Sequence, residues 1–105
     1  MPGFSAGEQS RLALLVYGCR GGLDKVKAHL HDPLVSTQLL ALRLAVLLHH
    51  ARTPIAMPKI RFRVAGKRIE FSVAARWLKA HPLTAHLIAR ERAQWESLGY
   101  RWRDA

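Results

Sequence analysis

Hydrophobic and polar positions follow two different periods along this chain, and the change falls near residue 54. Before it the spacing is helical. After it come alternation, a second helical stretch and alternation again. Ser5-Ala6-Gly7-Glu8 has the spacing of a capping box, with Ser5 as N-cap and Glu8 reaching back to it. The helix that follows places Leu12, Leu15, Val16 and Cys19 on one face, and Gly18, Gly21 and Gly22 end it. A short helix is expected over 23–30. Asp32-Pro33 then starts a long helix, with the aspartate as N-cap and the proline at the first helical position. This helix runs to about Arg52. Leu40, Leu44, Leu47 and Leu48 form one stripe, and Leu39, Leu42, Ala45 and Val46 carry it around the cylinder, so the helix is buried on most sides. Thr53-Pro54 and Met57-Pro58 close the section, because the residue before a proline resists helix.

Residues 59–73 read as a β-hairpin. Ile60, Phe62 and Val64 alternate with Lys59, Arg61 and Arg63; Ile69, Phe71 and Val73 alternate with Arg68, Glu70 and Ser72. Ala65-Gly66 is expected at the turn, with Gly66 free to take a positive φ. That loop pairs Phe62 with Ile69 and Ile60 with Phe71, and sets Arg61 opposite Glu70. It also leaves Arg63 facing Arg68, which is unfavourable unless an anion lies between them. Residues 74–79 form a short helical turn carrying Trp77 and Leu78. Pro82 opens a further helix that aligns Thr84, Leu87, Ile88, Glu91, Trp95 and Leu98, and Gly99 follows as a C′ residue. Tyr100 and Trp102 alternate with Arg101 and Arg103 as a third short strand. A lone hairpin is marginal in water, so the third strand and a covering helix make the unit stable. The expected fold class is α+β: a helical part over 1–54, then a small antiparallel ββαβ module over 55–105.

At 105 residues the chain has room for one domain or a closely packed pair of modules. Half its residues are hydrophobic and 23% are charged, which excludes a disordered tail. One cysteine, Cys19, excludes an intramolecular disulfide and fits a reducing compartment. No apolar run is long enough to span a bilayer, and the first residues lack the basic region and apolar core of a signal peptide. A cytoplasmic protein with no membrane partner is therefore expected. Charge changes the picture most. Seventeen Lys and Arg face seven Asp and Glu, for a net charge of +10, and twelve of the seventeen are Arg. Arginine favours bidentate contact with phosphate or carboxylate, so a polyanion is the expected partner.

Each candidate for chemistry has a plainer explanation beside it. His31-Asp32 would suit a metal site only with further ligands at helical spacing, and His49-His50 point in different directions; the pair reads as a helix start. Cys19 lies on an apolar face and reads as a small core residue; His49 or His50 could approach it as a base, but nothing in the sequence places them there. His81 and His86 bracket Pro82 as capping and surface residues. Arg43 and Glu91 both sit on apolar faces, so each needs an opposite charge, and a structural ion pair is expected for both. Glycine-rich phosphate loops and a nucleophile elbow are absent, and no complete catalytic constellation exists. The strongest feature is the outer face of the expected sheet, where Lys59, Arg61, Arg63, Arg68, Arg101 and Arg103 alternate outward with Lys67 at the turn. Such a surface binds phosphates through counterion release, or else simply guards the sheet edges. Phe62, Phe71, Tyr100 and Trp102 share the opposite face as core, which argues against base stacking there.

Three segments in register resemble the C-terminal portion of the exopolyphosphatase/guanosine pentaphosphatase (Ppx/GppA phosphatase) family. Pro2-Gly3-Phe4 with Leu12-Ala13-Leu14-Leu15-Val16 resembles a helix late in that family's HD-like domain. Residues 40–48, leucine-rich around Arg43, resemble its next long helix. Trp77-Leu78, His81-Pro82-Leu83-Thr84, Leu87, Glu91, Trp95 and Gly99 resemble its C-terminal module. The resemblance implies that 1–54 is the remnant of an HD-like domain. It implies a parent enzyme that removes terminal phosphate from inorganic polyphosphate, or the 5′ γ-phosphate of guanosine pentaphosphate, with magnesium. The catalytic loops and acidic base of that family belong to an actin-like domain outside this chain, so the chain holds no cofactor and is expected to be inactive alone. Its implied role is to bind polyphosphate or another polyanion, to support a homodimer and to join the remainder of the parent enzyme. One departure is Cys19-Arg20, where the family often has a histidine before the arginine; residues 21–31 depart as well. The alternative is a free-standing basic module that binds nucleic acid.

Overall fold

The fold is that of a computed structural model, which describes residues 6–51 and 59–104. Ser5, the proline pairs near 54 and 58, and the boundary between the two expected parts lie outside those residues. The order is α1 (Ala6–Gly18), a 3₁₀ segment (Leu23–His29), α2 (Pro33–His50), β1 (Arg61–Ala65), β2 (Arg68–Ser72), α3 (Ala75–Ala80), α4 (Pro82–Ser97) and β3 (Arg101–Asp104). The mixture is α+β, with helices ahead of a small sheet.

Local chemistry sets the helix ends. Asp32 Oδ1 accepts from the Leu34 N–H at 2.9 Å, and Pro33 opens α2. Gly99 takes φ +91° and ends α4. The Gly99 N–H donates to Glu96 O at 3.0 Å and the Tyr100 N–H to Trp95 O at 3.2 Å, the two bonds of a Schellman motif. Its apolar contact is the edge-to-face packing of Trp95 on Tyr100, with centroids 4.9 Å apart.

The helix α1 is rotated from its expected face. Leu15 and Gly18 are buried, whereas Leu12 and Val16 stay 48% and 64% exposed. Gly18 explains the rotation, since a Cβ there would meet Leu39 Cδ1 at 3.0 Å. The two helices touch where α1 has no side chain.

The sheet has the order β1-β2-β3. The hairpin turn is Gly66-Lys67, not Ala65-Gly66, with Gly66 at φ +58°. Phe62 therefore opposes Phe71, Val64 opposes Ile69 and Arg63 opposes Glu70. This two-residue shift keeps every side chain on its expected face and replaces the clash of Arg63 with Arg68 by an opposite-charge neighbour. The strand β3 runs parallel to β2, so the sheet is mixed and not wholly antiparallel. The reason is the connection: α3 and α4 carry the chain back to the end where β2 began, as a crossover must for a parallel pair.

One core joins the early helices to the sheet. Leu23, Val26, Leu39, Leu40 and Leu44 cluster with Ile69, Phe71, Trp95, Tyr100 and Trp102. Polar groups inside it are paired. The Tyr100 hydroxyl donates to Leu30 O at 3.1 Å, and Ser36 Oγ donates to the same carbonyl at 2.6 Å. Among the described residues no helix is long and apolar enough to cross a membrane.

Candidate functional site

Alternation in the three strands builds a basic outer face. Arg63, Glu70 and Arg103 form one row across the sheet, Ala65, Arg68 and Arg101 the next, and Arg61 stands beside Ser72. Strands lie about 4.8 Å apart, so Arg68 and Arg101 are direct neighbours of like charge. Arg61, Arg63, Arg68, Arg101 and Arg103 are all exposed. Among the described residues none of these five guanidiniums forms an ion pair or a hydrogen bond. Arg68 and Arg101 gain nothing from standing together unless an anion binds between them.

The two lysines of the expected set lie at its margins. Lys59 is exposed ahead of β1. Lys67 leans across the sheet end, its Nζ 3.4 Å from Leu98 O and 4.6 Å above the Tyr100 ring. The geometry thus brings five arginines together and draws Lys67 away.

A second feature lies on the other side of the core. Arg43 and Glu91 are buried and paired, with Arg43 Nε donating to Glu91 Oε2 at 2.7 Å. Arg43 also caps the end of α1, donating from Nη1 to Gly18 O at 2.8 Å and from Nη2 to Gly21 O at 2.9 Å. The Trp95 indole N–H donates to the same Glu91 oxygen at 2.7 Å. One ion pair therefore ties α1, α2 and α4 together. Above it opens a cleft of about 500 Å³, lined by Arg20, Arg43, His50, Arg90, Glu91 and Gln94 among others. Arg20 and Arg90 are exposed at its rim. The sequence reading missed the cleft because its two rim arginines lie far apart along the chain. The inward Arg43 and the run of glycines after α1 were its only local signals.

The other candidates take structural places. Asp32 caps α2, and the His31 Nδ1 lies 2.9 Å from Ala28 O. Cys19 is half-buried, and its thiol donates to Val16 O at 3.2 Å. His81 donates from Nδ1 to Trp77 O at 2.9 Å. Among the described residues no three His, Cys, Asp or Glu side chains converge as a metal would require.

Comparison with known proteins identifies a family for the sequence. The family model described as Ppx/GppA phosphatase, domain III, matches residues 1–92. A guanosine-5′-triphosphate,3′-diphosphate pyrophosphatase of Vibrio parahaemolyticus is 39% identical over 62 residues, covering 59% of this chain and 12% of that protein. A protein of the same name from Vibrio vulnificus is 28% identical over 102 residues, 95% of this chain and 20% of that protein. The chain spans a fifth or less of the length of these relatives.

Proposed function

Because the chain belongs to the Ppx/GppA phosphatase family and matches its domain III, we propose that it is a noncatalytic, polyanion-binding region of an exopolyphosphatase-type phosphohydrolase. The parent enzyme removes terminal phosphate from inorganic polyphosphate or guanosine pentaphosphate. The single observation that supports this role is the pairing of Arg68 with Arg101 in adjacent strands, with no carboxylate on either guanidinium among the described residues. A linear polyphosphate laid across the strands replaces the counterions that this row otherwise holds. Arg20 and Arg90 at the cleft offer a second, separate basic surface.

Dimer support is part of the proposal. Leu12 and Val16 on α1 are large apolar side chains left in water, and a second copy or the remainder of the enzyme would cover them. Catalysis and its magnesium belong to that remainder. A cytoplasmic location completes the reading and fits a single unpaired cysteine.

The test is a competition titration of the purified chain, long-chain polyphosphate against single-stranded RNA, over a salt series. The expected result is a preference for polyphosphate, with affinity falling steeply as salt rises. Equal or tighter RNA binding would reduce the role to general polyanion attraction. The chain alone is expected to release no phosphate. Magnesium-dependent release from polyphosphate would overturn its noncatalytic assignment.

A further inference from the structure

The sheet is finished at one edge and open at the other. Lys67 O faces β3 and accepts from the Arg101 N–H at 2.7 Å. Ile69 and Phe71 therefore also turn their backbone groups to β3, and Arg68, Glu70 and Ser72 turn theirs to β1. Ala65, Arg63 and Arg61 answer them across the hairpin. The N–H and C=O of Phe62 and Val64 are left pointing out of the sheet edge, and they have no bonding partner among the described residues.

The apolar layer stops short at the same edge. Ile69 and Phe71 in β2 and Trp102 in β3 are buried, whereas Val64 and Phe62, directly opposite Ile69 and Phe71, are only half-buried. On the other face of β1, Arg61 and Arg63 are exposed and form no ion pair among the described residues. A polyphosphate has only acceptors, so it cannot match a row of alternating donors and acceptors. Another polypeptide backbone can. We propose that the free edge of β1 takes an extended segment of a separate protein as an added strand, in which apolar side chains beside Phe62 and Val64 alternate with acidic ones beside Arg61 and Arg63. The chain has no such segment of its own to offer: residues 1–5, 52–58 and 105 contain none of its seven acids. A second copy suits the edge badly, because β1 laid on β1, or on the outer edge of β3, sets arginine beside arginine. The side chains that keep copies apart thus favour an acidic strand. This site goes beyond the polyanion reading and stands without it, since its bonds are to the backbone.

The probe is a short capped peptide that alternates valine with glutamate, titrated against the full chain by calorimetry. Saturable binding is expected. Hydrogen exchange at the Phe62 and Val64 amides should slow in the complex, while exchange at Arg63, already bonded within the hairpin, stays as it was. N-methylation of the valines alone, or of the glutamates alone, should abolish binding in one case and spare it in the other, because alternate N–H groups of an added strand face β1. Arg61→Ala/Arg63→Ala should weaken binding about tenfold. Equal affinity for a peptide of the same composition with its glutamates in one block overturns the proposal in favour of charge alone. Equal sensitivity to both methylation patterns removes the backbone ladder and overturns it as well. Exchange at Phe62 and Val64 that is already slow in the free chain and quickens on dilution gives the edge to a second copy instead. Loss of the peptide site when the chain is joined to its parent enzyme gives the edge to the remainder of that enzyme, and likewise overturns a separate partner.

Discussion

Arg43 and the arginines of the sheet carry the same group into opposite surroundings. Arg43 is 5% exposed, and its three donor nitrogens are used by Glu91, Gly18 and Gly21. Arg68 and Arg101 are exposed and adjacent, and neither forms an ion pair among the described residues. The contrast follows from a shortage. Seven carboxylates cannot neutralise seventeen cations. A buried cation without a partner costs far more than an exposed one, so the inner acid is committed to the inner base. Cations that water can solvate are left to collect on one face. The inner pair belongs to folding, and the outer row is free for a ligand.

The largest expected effect is on the inner pair. Glu91→Ala leaves Arg43 charged and buried, and the Trp95 indole without its acceptor. A loss of roughly 3–5 kcal/mol is expected, read from the urea midpoint at constant m-value. The double variant Arg43→Met/Glu91→Leu should recover only part of it, because Gly18 O and Gly21 O still lose their donors. A Glu91→Ala chain as stable as the parent would show that the pair does not hold α2 to α4.

On the outer face the same kind of truncation should do the reverse. Arg61→Ala/Arg63→Ala/Arg103→Ala is expected to stay within about 0.5 kcal/mol per site of wild-type stability. Its loss is in binding: the slope of log K for polyphosphate against log salt should fall by about one for each arginine in contact. An unchanged slope removes the sheet face from the proposal and leaves the cleft arginines, Arg20 and Arg90, to carry it.

Features written in local chemistry were legible in the sequence. Asp32-Pro33 and Gly99 mark helix ends through bonds to residues only a few positions away. Alternation in the strands separates the arginines from the aromatics whatever the pairing. The need of Arg43 and Glu91 for opposite charges was equally readable, since burial demands it. Their choice of each other depends on how α2 and α4 cross. The hairpin register was hidden because a slip of two residues leaves both faces unchanged. The direction of β3 was hidden because four residues suit either ladder, and the decision lies with α3 and α4. The rotation of α1 rests on Gly18 against Leu39, a contact between helices that no periodicity reports. The Trp77–His81 stack was hidden for a different reason: His81 lies past the end of α3, where helical spacing no longer links the two rings.

The smallest effect sharpens the comparison most, because it places an acid on the outer face. Glu70 stands in the middle strand with Arg63 on one side and Arg103 on the other. It is the one carboxylate in those rows of the sheet, and it tempers the repulsion between its neighbours. Glu70→Gln keeps the shape and removes the charge. Loss of the cross-strand attraction should lower stability by no more than about 1 kcal/mol. If the row binds phosphates, the same change should raise polyphosphate affinity by about two- to threefold at low salt, with the gain fading as salt screens it. Stability and binding would then move in opposite directions on one substitution. At the inner site no such exchange exists, since removing Glu91 weakens the fold and any ligand site built on it together. A Glu70→Gln chain that loses both stability and affinity would mean that Glu70 positions the arginines and does not merely dilute their charge.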